Sequence, residues 1–178
     1  MPCSYLNIIK VYHDIYAGFG GPLRSKFVNS KGDLLHEGLF YRIYPASNGL
    51  ILCQGRGHVF LNLKFENQMN TVYQHAYPFI EGYTSVKRNG SYVIINQEGD
   101  ELSIPGFSSL EPLAINTFMA KEAPLFGLYN NKGELILAPI YEHIRILDNE
   151  IIQVQKIGKV GYLKPNGEWL YNPFISPK

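Results

Sequence analysis

One short motif returns along this chain at an almost constant interval, and that interval constrains the fold more than any single residue does. Asn29-Ser30-Lys31-Gly32 recurs as Asn96-Gln97-Glu98-Gly99 and as Asn130-Asn131-Lys132-Gly133. A worn copy, Asn62-Leu63-Lys64-Phe65, lies between the first two, and Lys164-Pro165-Asn166-Gly167 follows the last. The first residues stand at 29, 62, 96, 130 and 164, so the steps are 33, 34, 34 and 34. A fixed period of this size means one supersecondary unit used repeatedly, each copy burying its apolar face on its neighbours.

Two further landmarks keep the same spacing. An aromatic recurs at Tyr41, Tyr73, Phe107, Tyr141 and Phe174, preceded in the later copies by Pro105, Pro139 and Pro173. Gly49, Gly82, Asn116 and Glu150 each open a short run, such as Leu50-Ile51-Leu52-Cys53 or Ile151-Ile152-Gln153-Val154. Tyr12-His13-Asp14-Ile15 resembles Tyr141-Glu142-His143-Ile144, which suggests that the N-terminal segment supplies the later strands of a unit.

Composition decides between helix and strand. Tyr and Phe number 13 and 10, and charged residues are only 17%, a balance that suits half-buried pleated surfaces. Two-helix repeats of this length need a 3.6-residue apolar period, whereas this chain is punctuated by Gly, Pro and Asn. In the third copy Ser91 to Asn96 reads as a strand, Asn96 to Gly99 as a type I turn, and Asp100 to Ile104 as the return strand. Asn suits the first turn position because its side chain bonds the backbone just ahead, and Gly can take the φ > 0 that closes the hairpin. Leu102 shares its place with Leu35, Ile136 and Leu170, a position expected to face the core. Pro105 is expected to end the strand, Phe107 to Leu110 to be irregular, and Asn116 to Lys121 to form a third strand.

The expected fold is therefore all-β, a single repeat domain over residues 1–178 built from three-stranded antiparallel units in an open twisted array. The units run approximately 25–57, 58–90, 91–124 and 125–158, with partial units 1–24 and 159–178. A closed, propeller-like ring is the alternative, disfavoured because 34 residues are few for a four-stranded blade.

The pattern resembles the bacterial WG-repeat family, in which an aromatic-Gly hairpin precedes Asp/Asn-x-x-Gly and a Pro-x-Tyr segment. Phe126-Gly127-Leu128-Tyr129-Asn130-Asn131-Lys132-Gly133 with Pro139-Ile140-Tyr141 carries it best, followed by Val160-Gly161-Tyr162-Leu163 with Asn166-Gly167. The resemblance spans about residues 25–174, although the Trp place holds Ser25, His58, Tyr92, Phe126 and Val160, and the sole tryptophan, Trp169, lies on a return strand. It implies a repeat scaffold used as a binding module and transfers no catalytic residue.

Candidate chemistry is thin. Cys53 near His58 could pair a thiol with a base, but Cys53 aligns with Val86, Ala120 and Val154, which makes it a small core residue. Cys3 and Cys53 make neither a disulfide framework nor a zinc site. His75 and His143 lie two repeats apart, with Ile43 and Ser109 in the other copies, too few ligands for a metal. Gly18-Phe19-Gly20-Gly21 with Arg24 and Lys26 lacks the Gly-Lys-Ser/Thr ending of a phosphate loop and reads as a plain turn. His13-Asp14 and His36-Glu37 are adjacent pairs, and strand neighbours point to opposite faces.

With a net charge of +1 and no basic stripe, nucleic acid is not an expected partner. No apolar run reaches membrane-span length and no secretory signal opens the chain, so a cytoplasmic location is expected. The functional expectation is a non-catalytic, cofactor-free module that recognises a protein. An immunity-type protein neutralising a bacterial toxin and a carbohydrate binder using tyrosine stacking are the alternatives.

Overall fold

Each recurrence of the motif folds into the same hydrogen-bonded turn, and the turn explains the motif. The Oδ1 of Asn29 accepts from the backbone N–H of Lys31 (3.0 Å) and Asp33 (2.8 Å), while its Nδ2 donates to the Asp33 carboxylate (2.8 Å). Asn62, Asn96 and Asn130 repeat all three bonds with Glu66, Asp100 and Glu134. The fourth turn residue bonds back to the first through its N–H and takes a left-handed conformation at Gly32, Gly99, Gly133 and Gly167 (φ 86°, 90°, 79° and 88°). In the worn copy Phe65 does so at φ 65°, a strained choice for a bulky side chain. Its ring stacks on His36 and leans on Phe27, so packing in the core holds the strain in place.

The computed structural model describes residues 8–20, 24–103, 108–148 and 151–175, and among these every regular element is a strand. The landmarks Pro105, Phe107 and Glu150, with Cys3 and Gly21, lie outside the described residues. The chain divides into two compact units, Met1–Pro78 and Phe79–Lys178.

In the first unit β1 (Ile8–Tyr12), β2 (Ile15–Phe19), β3 (Ser25–Val28) and β4 (Leu34–Gly38) form one antiparallel sheet in chain order. β5 (Arg42–Ile43), β6 (Ile51–Gln54) and β7 (His58–Leu61) form a second. The short β8 (His75–Ala76) follows Tyr73, which exchanges two backbone hydrogen bonds of 2.9 Å with His58. Val11, Ala17 and Phe27 of the first sheet share a core with Ile43, Ile51, Cys53 and Leu61 of the second.

In the second unit β9 (Tyr83–Arg88), β10 (Ser91–Asn96) and β11 (Glu101–Ser103) run antiparallel side by side. Next comes a four-stranded sheet of β12 (Ser109–Ala114), β13 (Thr117–Glu122), β14 (Leu125–Asn130) and β15 (Leu135–Tyr141). A second four-stranded sheet is made by β16 (His143–Asp148), β17 (Ile151–Lys156), β18 (Lys159–Leu163) and β19 (Trp169–Tyr171). Leu128, Leu137 and Tyr141 pack on Ile144, Ile152, Val154 and Leu163 of the next sheet.

The all-β expectation holds, as small antiparallel sheets of three or four strands. The segment read as irregular after Phe107 is in part a strand, β12. Four strands fit one period because several loops are two residues long, as at Asn89-Gly90, where Arg88 pairs with Ser91, and at Ile157-Gly158. Pro139 lies inside β15, on the outer edge of its sheet where no donor is needed, so it does not end the strand. Tyr12 is followed by a two-residue turn and Tyr141 leads almost directly into β16, so their sequence likeness is not a structural one.

The glycine of the aromatic-Gly dipeptide is required for space. A Cβ on Gly127 would sit 2.8 Å from the Leu137 carbonyl oxygen and 3.0 Å from the Pro139 nitrogen. One on Gly161 would strike Trp169 (2.7 Å) and Phe174 (2.9 Å). Gly133→Val and Gly127→Ala should therefore each lower stability by more than about 1 kcal/mol, the first through backbone strain and the second through overpacking. Thermal melts of the two variants check this, and unchanged midpoints would refute the turn and the close approach in turn.

Candidate functional site

The return strands carry a recurring irregularity that builds a site. Val28 pairs with Leu34 and Phe27 with His36, Tyr129 with Leu135 and Leu128 with Leu137, Leu163 with Trp169 and Tyr162 with Tyr171. One residue is extra each time: Leu35, Ile136 and Leu170. A bulged residue loses its place in the alternation, and its side chain is re-aimed. The expectation that this position faces the core fails at Leu35, 41% exposed, and at Leu170, 50% exposed, whereas half-buried Ile136 does pack against the core of Leu128 and Leu137. The side chain of Leu102 lies outside the described residues.

In the second unit Ile136 and Leu170, with Ile115 and Ile151, line an open groove of about 810 Å³ at the turn end of the last two sheets. Asn116, Asn130, Asn131 and Asn166 supply amides around it, and Lys164 and Pro165 complete it. The turns are tied down. Asn131 Nδ2 donates to Asn116 Oδ1 (3.0 Å), and the buried Thr117 hydroxyl donates to the Pro165 carbonyl (3.0 Å). Gly167 lies so close to Ile136 that a Cβ would fall 2.8 Å from its Cγ2. The groove is aliphatic and nearly neutral; its one charged lining residue, Lys164, pairs with Glu168 at 2.9 Å.

The residues singled out in the sequence fall elsewhere. Cys53, Val86, Ala120 and Val154 all have 0% exposure, and burial pushes the Cys53 thiol up to about 12, which leaves it unreactive. Gly18 and Phe19 belong to β2, and Gly20 N–H bonds the Arg24 carbonyl (3.0 Å) across the connection to β3. Lys26 pairs with Glu37 at the surface, and His36 packs on Phe65, so the His36-Glu37 pair does split between faces. His13-Asp14 instead occupies a turn, where Asp14 accepts the Ser30 N–H (2.9 Å). Hydrogen bonding from the Ser30 side chain, and then from this backbone N–H, holds the Asp14 carboxyl below its ordinary value. His143 is exposed at the start of β16, Ser109 opens β12, and Ile43 is buried. Among the described residues no three His, Cys, Asp or Glu side chains gather into a metal site.

Sequence reasoning missed the closeness of His58 and His75, whose ring centroids are 5.1 Å apart. The cross-strand bridge between His58 and Tyr73 brings them together, and nothing local in the sequence marks it. Burial, then the neighbouring His75, holds the His58 pKa below its ordinary 6.5, against a hydrogen bond to the Gln74 backbone. The fold thus prefers His58 neutral, while the unfolded chain binds the proton more readily. Stability from this group is present above about pH 6.5 and is lost as pH falls below it. The melting temperature should drop on acidification from about pH 7.5 to about pH 5, and less steeply in His58→Phe. Equal slopes for the two proteins would sink this account.

A family model described as "WG containing repeat" matches residues 126–159, which run from Phe126-Gly127 through β15, β16 and β17. No curated protein matches the chain. Among solved structures, a crystal structure of the computationally designed Ika8 protein is similar at 13% identity, TM-score 0.55 and 90% coverage of this chain. A crystal structure described as the eukaryotic initiation factor is similar at 10% identity, TM-score 0.57 and 95% coverage. The chain spans only 59% and 55% of those two, and at such identities the likeness speaks to fold alone. Residues 126–159, with their hairpin and close-packed Gly127, are thus similar to one copy of a WG-containing repeat.

Proposed function

We propose that this protein is a non-catalytic binding module whose aliphatic groove receives an apolar side chain of a protein partner. The groove carries the reading, because exposed Ile115 and Leu170 add little to the core and gather where a partner can cover them. Its chemistry favours protein over glycan: the lining is aliphatic, without an aromatic face for a sugar ring to stack on. The candidate nucleophile and base support a non-catalytic role, since Cys53 and His58 are both buried in structural positions.

We also read the sheets as successive members of an open array. The row Glu111, Met119, Leu128 and Leu137 becomes Arg145, Gln153, Tyr162 and Tyr171 one sheet later. Leu128 and Leu137 are buried under the next sheet, whereas Gln153 bonds Arg145 and Tyr162 and Tyr171 is 58% exposed. A polar outer face is what a terminal repeat needs.

The binding reading is tested by selecting displayed random peptides on the full chain. Enriched peptides should carry an aliphatic anchor and lose binding to Ile115→Asp and Leu170→Asp while still binding Tyr41→Ser. No enrichment, or equal binding to all variants, would defeat it.

A further inference from the structure

Lys164 breaks the rule of the repeat at the one turn that lines the groove with a cation. Four turns begin with Asn, whose side chain accepts two backbone N–H groups and donates to the acid four residues on. An ammonium has no acceptor, so Lys164 cannot cap its turn; Asn166 Oδ1 takes the Glu168 N–H instead (3.0 Å). Lys164 keeps only the ion pair with Glu168, in which both side chains are about half exposed (46% and 58%). Such a pair contributes little and exchanges readily. Glu168 is an acid of the kind found in the other turns, so the novelty is the cation, and it faces the groove beside Ile115, Ile136 and Leu170. A local rule broken without a gain to the fold marks a residue serving something else.

We infer that the groove recognises a protein segment in which an aliphatic side chain lies next to a carboxylate, the carboxylate displacing Glu168 from Lys164. The inference rests on the groove being a protein-docking site. The aliphatic side chain fills the space between the bulged residues Ile136 and Leu170, and the Asn116, Asn131 and Asn166 amides stand beside it for the segment's backbone. Charge complementarity fixes direction: one cation at one side of a neutral groove accepts one anion and sets which way the segment lies.

Peptides selected on the full chain from a random library test this. The expected sequences carry Leu, Ile or Val beside Asp, Glu or a free C-terminal carboxylate. Lys164→Asn restores the cap of the other turns, so its melting temperature should equal or exceed that of the parent. It should bind a selected peptide about fivefold more weakly, the size of one exposed charge pair. The same peptide with its acid amidated should show an equal loss, and the two losses should not add. Selected peptides without an acidic preference, or unchanged affinity in Lys164→Asn, would overturn this inference and leave the groove as a docking site. A selection that yields no groove-dependent peptide would overturn both.

Discussion

The left-handed residue that closes each repeat turn is the constraint from which the rest of the structure follows. It lets the chain reverse within four residues, and it inserts one extra residue into the return strand wherever the bulge forms. The Asn side chain makes the reversal affordable by satisfying backbone donors that the tight bend leaves exposed. With the reversal in place, strands of two to seven residues suffice, and four of them fit within one period. No sheet this small buries both its faces, so each core is shared: Leu128 and Leu137 are buried only because the next sheet supplies Ile152 and Leu163.

The departures from the pattern are explained by what each copy packs against. Gly127 and Gly161 need no special φ; they are glycines because a neighbouring backbone or an aromatic ring lies within van der Waals distance. Phe65 shows the opposite balance. A residue that should be glycine is kept as phenylalanine because its ring is wanted between Phe27 and His36. In that copy the return strand is reduced to a single bridge between Leu61 and Asn67, so the sheet has three strands.

The period, the hairpin turns and the burial of Cys53 were legible from residue types and spacing alone, because each is a local property repeated in register. Three things were not. Strand β12 was hidden because Glu111 and Pro112 blur its alternation. The exposure of Leu35 and Leu170 was missed because a bulge shifts parity by one without leaving a distinctive residue behind. The closeness of His58 and His75 depends on a cross-strand bridge, which no periodicity within either segment reveals.

The candidate groove is a consequence of the same turn geometry. A bulged residue drops out of the ladder pairing; Leu35 and Leu170 are left largely exposed, while Ile136 still packs against the core. Two sheets in succession bring two such residues to the same end, where the intervening turns add their amides. The last two sheets fill the groove with isoleucine and leucine, and the turn at Lys164 gives up its cap to place a charge at the rim. The candidate groove thus shares Asn130 with the turn and Ile136 with the core, and adds the exposed Ile115 and Leu170.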